Sequence, residues 1–199
     1  MHTIDHKILS RFYGQGRGYV ATPKAFTDIG DRSYVDNAFA RLVQANKLHR
    51  IGRGLYEYPR IDPVLGPLSP DLDCVARALA GREGIRLQPT GAYAANQLGL
   101  SEQVPMQIVF LTDGASRKAV IGPHQIELRR ASPRRMQLAG KVSGLVFEAL
   151  RELGSDHIDE TIEQRLRKTL SSEEKRKVRR DLPRAPAWMH PILRRVTEA

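Results

Sequence analysis

The stretch GDRSYVDNAFARLVQANKLHRIGRGLYEY, from Gly30 to Tyr58, constrains this chain more than any other. Val35, Ala38, Phe39, Leu42 and Val43 recur at helical spacing, which predicts a helix with one buried stripe. Asp31 or Ser33 can cap its start, and Ser33-x-x-Asp36 has the form of a capping box. On a wheel of about 100° per residue the opposite face carries Ser33, Asn37, Ala40, Arg41 and Gln44, with Arg32 at the start and Tyr34 on the flank. Apart from the alanine, these side chains suit base edges and phosphates. Two extended runs follow, Leu48–Ile51 and Leu55–Tyr58, joined by Gly52-Arg53-Gly54, whose glycines allow the positive φ of a tight turn. A helix feeding a hairpin that carries Arg50 and Arg53 predicts a winged helix-turn-helix, with the helix in the major groove and the hairpin along the backbone.

The residues upstream fit that order. Ile4, Ile8, Leu9 and Phe12 form a helical stripe that begins at Thr3, an N-cap, and ends at Gly14. The glycines at 14, 16 and 18 follow a helix and precede the extended run Tyr19–Ala21. A phosphate-cradling loop needs the reverse order, strand before helix, so they read as a turn. Thr22 caps a short helix with Pro23 at its first position, and Gly30 closes it. Lys24, Arg32, Arg41, His49, Arg50 and Arg53 supply the positive surface of this module.

A formal net charge of +10 and a pI near 10.1 point to a polyanion, because each phosphate neutralised by Lys or Arg releases counterions. Nucleic acid is the expected partner. A membrane surface is the competing explanation, but the sequence has no run of about 18 apolar residues and no long segment pairing basic residues with Trp and Phe. No membrane partner is expected. The start, MHTIDHKILSRFYG, lacks an apolar core and a small-residue cleavage site, so a cytoplasmic location is expected. Cys74 is the single cysteine, and its neighbours Leu72, Val75 and Ala76 predict a buried structural thiol.

The expected fold class is α+β: an N-terminal winged helix-turn-helix over 1–59, a linker at 60–70, a small mixed α/β domain over 71–154 and a basic helical tail over 155–199. The linker follows from PRIDPVLGPLSP, since proline fixes φ and disfavours a preceding helix. Beyond it the pattern predicts a helix over 71–80 capped by Ser69 or Asp71, a short strand over 82–87 and a helix over 90–98 ending at Gly99. Strands are expected at 107–112, 118–121 and 125–129, forming a small antiparallel sheet, and then a helix at 142–153. In the tail, Ile158, Ile162, Leu166 and Leu170 share one helix. After Ser171 or Ser172, EEKRKVRRDL forms another, ended by Pro183 and Pro186. Its basic run, Lys175 to Arg180, reads as a solvated face or as a contact for nucleic acid or an acidic partner. Trp188 and Met189 either anchor the tail on the core or sit in an interface.

Catalytic chemistry finds little support. Of the six histidines only His2 and His6 have helical ligand spacing, and they lack an intervening glutamate and a third ligand. No G-x-S-x-G elbow or Walker lysine is present. The alternative to a binding protein is a metal-dependent nuclease targeted by the winged helix, with Pro70-Asp71 and Glu127-x-Arg129 standing for P-D and E-x-K. Arginine is a poor substitute for a lysine that must shed or orient a proton, and Asp71 falls at a helix cap. Asp113, after QIVFLT, is better placed at a strand end, yet Asp-Gly is an ordinary turn pair. A non-enzyme without cofactor or metal is expected.

DRSYVDNAFARLVQANKLHRIGRGLYEYP, then TGAYAANQLGLSEQVPMQIVFLTDG and GPHQIELRRA, together resemble the AbiEi-type antitoxins and their short DUF6088 relatives, over most of residues 3 to 150. The resemblance implies a type IV toxin-antitoxin or abortive-infection protein. Its N-terminal winged helix would bind inverted repeats in double-stranded DNA and repress its own operon. Its second domain would counteract a nucleotidyltransferase-like toxin. Carried over, Arg32, Ser33, Asn37, Arg41, Arg50 and Arg53 serve DNA, in agreement with the wheel, which adds Tyr34 and Gln44. Palindromic sites would place two copies of a solution monomer on one DNA, as a dimer or as adjacent half-site monomers. A generic transcriptional regulator without antitoxin activity is the further alternative.

Overall fold

In the computed structural model, which describes residues 3–81 and 84–198, the side chain of Thr3 accepts a hydrogen bond from the His6 amide and starts helix α1, Ile4–Gln15. The helix passes the expected stop at Gly14 and closes at Gly16, whose φ of +86° suits glycine. Strand β1 (Val20–Ala21), a 3-10 turn at Pro23–Phe26 and helix α2 (Arg32–Gln44) follow. Then come β2 (His49–Gly52) and β3 (Leu55–Glu57). These strands form a sheet of order β1-β3-β2, with Val20 opposite Glu57 and Gly52 opposite Leu55.

Two local expectations need correction here. Asp31 holds the N-cap position of α2 without a side-chain cap bond, and Ser33 lies inside the helix; no capping box forms, because Arg32 takes the Asp36 carboxylate at 2.8 and 2.9 Å. In the hairpin only Gly54 has positive φ, at +67°. Gly52 is needed for space instead: a Cβ there would lie 2.9 Å from Ile121 Cδ1 and 3.0 Å from the Val120 carbonyl oxygen.

The proline-rich stretch is not bare linker, since β4 (Ile61–Asp62) and β5 (Gly66–Pro67) pair within it. Asp71 then accepts from the Asp73 and Cys74 amides and caps α3, Leu72–Ala80, which ends at Gly81 in the left-handed conformation. Cys74 is half-buried rather than buried, with Arg77 Nη2 3.7 Å from its Sγ. The strand expected over 82–87 is found as β6, Leu87–Pro89; Arg82 and Glu83 lie outside the described residues. Helix α4 (Gly91–Gln97), β7 (Gln107–Thr112), β8 (Arg117–Ile121), β9 (His124–Arg130) and α5 (Val142–Leu153) occupy the expected places. The order of this sheet is β6-β7-β9-β8. Helices α6 (Glu160–Thr169), α7 (Ser172–Asp181) and α8 (His190–Thr197) complete an α+β chain.

Compactness groups these elements differently from the boundaries read in sequence. One unit is Met1–Gly84 with Arg117–Ile126, so α3 and β8 belong with the N-terminal module; the other is Ile85–Ser116 with Glu127–Ala199. The first unit's core holds Ile8, Phe12, Phe26, Val35, Phe39 and Leu48. Phe12 and Phe26 stack at 5.5 Å, and Phe39 meets both edge-on at 5.9 and 5.3 Å. Each such pair contributes about 0.5–1.5 kcal/mol beyond area burial.

In the second unit the helices after residue 155 are not a tail beside a core but part of one. Leu166, Val178, Met189, Leu193 and Val196 are buried with Val146 and Leu150 of α5. Met189 is fully buried whereas Trp188 is 37% exposed, so the methionine is the anchor of that pair. Ion pairs reinforce the packing: Arg195 grips Glu163 at 2.5 Å, and buried Asp181 accepts from Ser143 and Arg184 at 2.8 and 2.9 Å. Helix α8 continues the helical character expected over 155–199 past the stops at Pro183 and Pro186; Pro191 sits in its first turn, where a missing N–H costs nothing.

Candidate nucleic-acid interface

Helix α2 divides cleanly along its axis. Val35, Ala38, Phe39 and Leu42 are buried, while Arg32, Ser33, Tyr34, Asn37, Arg41 and Gln44 are exposed. Ser33, Asn37, Arg41 and Gln44 fall at successive steps of four, four and three residues, which sets them in one line along the helix. Tyr34, beside that line, is 62% exposed. Arg50 and Arg53 are exposed on the hairpin, Arg53 in the two-residue turn itself. All eight candidate residues therefore face solvent.

Their electrostatic states differ, which the sequence did not disclose. Arg41 is tied to α1: its Nε donates to Asp5 Oδ2 at 3.0 Å and its Nη2 to Asp5 Oδ1 at 2.5 Å. The hydrogen bonds from Arg41 hold the Asp5 carboxyl below the ordinary range, against partial burial. Arg32 is paired with Asp36 one turn on. By contrast, among the described residues no carboxylate pairs with Arg50 or Arg53, and Ser33, Tyr34, Asn37 and Gln44 make no side-chain hydrogen bond that would occupy them. Lys24 and Lys47 are likewise exposed. Asp5 went unremarked in sequence because an acidic residue in a first turn is ordinary helix chemistry.

A second clamp sits on α1. Arg11 binds Asp28 through both nitrogens at 3.1 and 2.6 Å, donates to the Ala25 carbonyl at 2.9 Å and lies 4.8 Å from the Phe26 ring centre. Its guanidinium depresses the Asp28 carboxyl. At the end of β3, Glu57 is 1% exposed, and its Oε1 finds no hydrogen-bond partner in the structure. Burial pushes its carboxyl up; Arg60 opposes that shift and Asp71 adds to it.

The residues considered for catalysis are engaged elsewhere. Asp71 is a helix cap, Glu127 pairs with Arg129 at 3.2 Å, and Asp113 clamps Arg86 through its side chain at 2.8 Å and its amide at 2.9 Å. Among the described residues no group of three or more His, Cys, Asp or Glu side chains could hold a metal ion; His2 lies outside them. An open cleft of about 420 Å³ runs past Arg86, Asp113, Arg130 and Ser132 in the second unit. No described helix is long and apolar enough to cross a membrane.

No curated protein and no solved structure matches the chain. A family profile does, over residues 7–178, which includes α2, the hairpin and most of the second unit. The chain therefore belongs to DUF6088, a family of unknown function.

Proposed function

We propose that this protein binds double-stranded DNA as a winged helix-turn-helix and represses transcription of its own operon. The observation that carries the reading is the solvent-facing line Ser33, Asn37, Arg41, Gln44 on α2, followed directly by a hairpin with unpaired Arg50 and Arg53. The helix supplies groups that read base edges, and the hairpin supplies charge for phosphates. The order α1, β1, 3-10 turn, α2, β2, β3 supports it, with the middle helix of the motif reduced to Pro23–Phe26. So does the surplus of basic residues in the chain.

Titrating duplexes from the upstream region of the gene against scrambled duplexes tests this. Asn37→Ala is expected to lose about 1–3 kcal/mol of preference for the upstream sequence while keeping scrambled-duplex affinity, because a bidentate amide-to-adenine contact supplies discrimination of that size. Equal affinity of the wild type for all duplexes would contradict the repressor half of the proposal. The antitoxic half rests on the resemblance to AbiEi-type proteins. Co-expression with a nucleotidyltransferase encoded next to the gene should restore growth that the toxin alone arrests. Continued arrest would leave a transcriptional regulator only.

A further inference from the structure

Building on the DNA-binding reading above, we propose that Asp5 is a positioning residue for base readout, holding the Arg41 guanidinium so that its free edge meets a guanine in the major groove. Asp5 takes Arg41 by Nε and Nη2, which is one edge of the planar fork. Three hydrogens remain, and the outward one on Nη1 with the second one on Nη2 forms the end-on pair of donors that matches guanine O6 and N7. The carboxylate is itself fixed. It lies in the first turn, two residues past the Thr3 cap, on a helix whose Ile8 and Phe12 are wholly buried.

Three further features favour readout over a simple helix clamp. Arg41 stands in the exposed line between Asn37 and Gln44, and its side chain is 56% exposed despite the pairing. A pair this open to solvent contributes little to stability, so packing gives it no strong reason to exist. The pairing also cancels much of the attraction of Arg41 for phosphates while leaving its directional donors intact, whereas Arg50 and Arg53, which pair with no carboxylate among the described residues, suit phosphates. Orientation before binding also spares rotamer entropy that a free arginine would lose on contact.

The test is selection by the full-length protein from a randomised duplex library, followed by titration of the selected duplex, its single base-pair replacements and a scrambled duplex. For the wild type, replacing one particular G·C pair by A·T should weaken binding about 10- to 100-fold. Asp5→Asn should reduce that preference to a few-fold and leave scrambled-duplex affinity equal or higher, since a negative charge near the phosphates is gone. Arg41→Lys, which keeps the charge and loses the fork, should behave alike, and Asp5→Asn should add nothing to Arg41→Ala. An Asp5→Asn protein that keeps the guanine preference would overturn the proposal, as would a selected motif with no guanine sensitive to Arg41→Ala. If the wild type binds no duplex at all, the DNA-binding reading fails too; persistent scrambled-duplex binding separates the two failures.

Discussion

Gly52 of the hairpin approaches Ile121 so closely that a methyl group added at its Cα would stand 2.9 Å from the Ile121 Cδ1 and 3.0 Å from the Val120 carbonyl oxygen. The backbone oxygen cannot rotate away as a flexible side-chain end could. Gly52→Ala is therefore expected to destabilise the first unit by about 1–3 kcal/mol, measured by urea unfolding. Gly14 is the control. It lies inside α1 with nothing within 4 Å of its added Cβ, so Gly14→Ala should be neutral or stabilising by up to about 1 kcal/mol.

The helices after residue 155 should be indispensable to the second unit. Met189 is fully buried against a core shared with Leu150 and Leu166, so Met189→Ala is expected to cost about 2–5 kcal/mol. Lys168→Ala, on the exposed side of α6, should stay within about 0.5 kcal/mol. Truncation after Gly154 should abolish cooperative unfolding of that unit in calorimetry. A truncated chain with an unchanged transition would show that these helices are an appendage after all.

Glu57 should impose a pH dependence opposite in sign to that of the paired aspartates. Its carboxyl is raised in the folded state, chiefly by burial, so the folded chain holds that proton to higher pH than the unfolded one. Its contribution therefore declines as pH rises from the ordinary glutamate range through the raised pKa, then levels off. Asp5 and Asp28 are lowered, and their contributions are lost as pH falls through their depressed values. Glu57→Gln should match the wild type at acid pH and gain on it as pH climbs, in unfolding titrations across that range. A difference independent of pH would contradict the assignment.

Much of this was legible in the residues, for identifiable reasons. Strand β7 and helix α5 have the bounds the sequence predicts because a continuous apolar run and an i, i+3, i+4 stripe are local signals. The exposed line on α2 followed from the same wheel that places Phe39 in the core. Helix α8 is hidden because Pro183 and Pro186 read as the end of the preceding helix, while its own Pro191 sits in the first turn, where proline starts a helix equally well. The pairing of Asp5 with Arg41 spans 36 residues, and the contact of Gly52 with Ile121 depends on where the chain returns, so neither follows any spacing rule. The placement of α3 with the first unit was missed for a related reason: proline-rich composition marks a break in regular structure, not a change of core.

The central claim is that α2 and the hairpin grip duplex DNA, and the salt dependence of duplex affinity tests it most directly. The wild type should bind a duplex at modest ionic strength, with log affinity falling linearly against log salt. Arg53→Ala should weaken every duplex alike and flatten that slope by about one unit, because one phosphate contact is lost. An affinity indifferent to salt, or an Arg53→Ala slope equal to that of the wild type, would contradict the account.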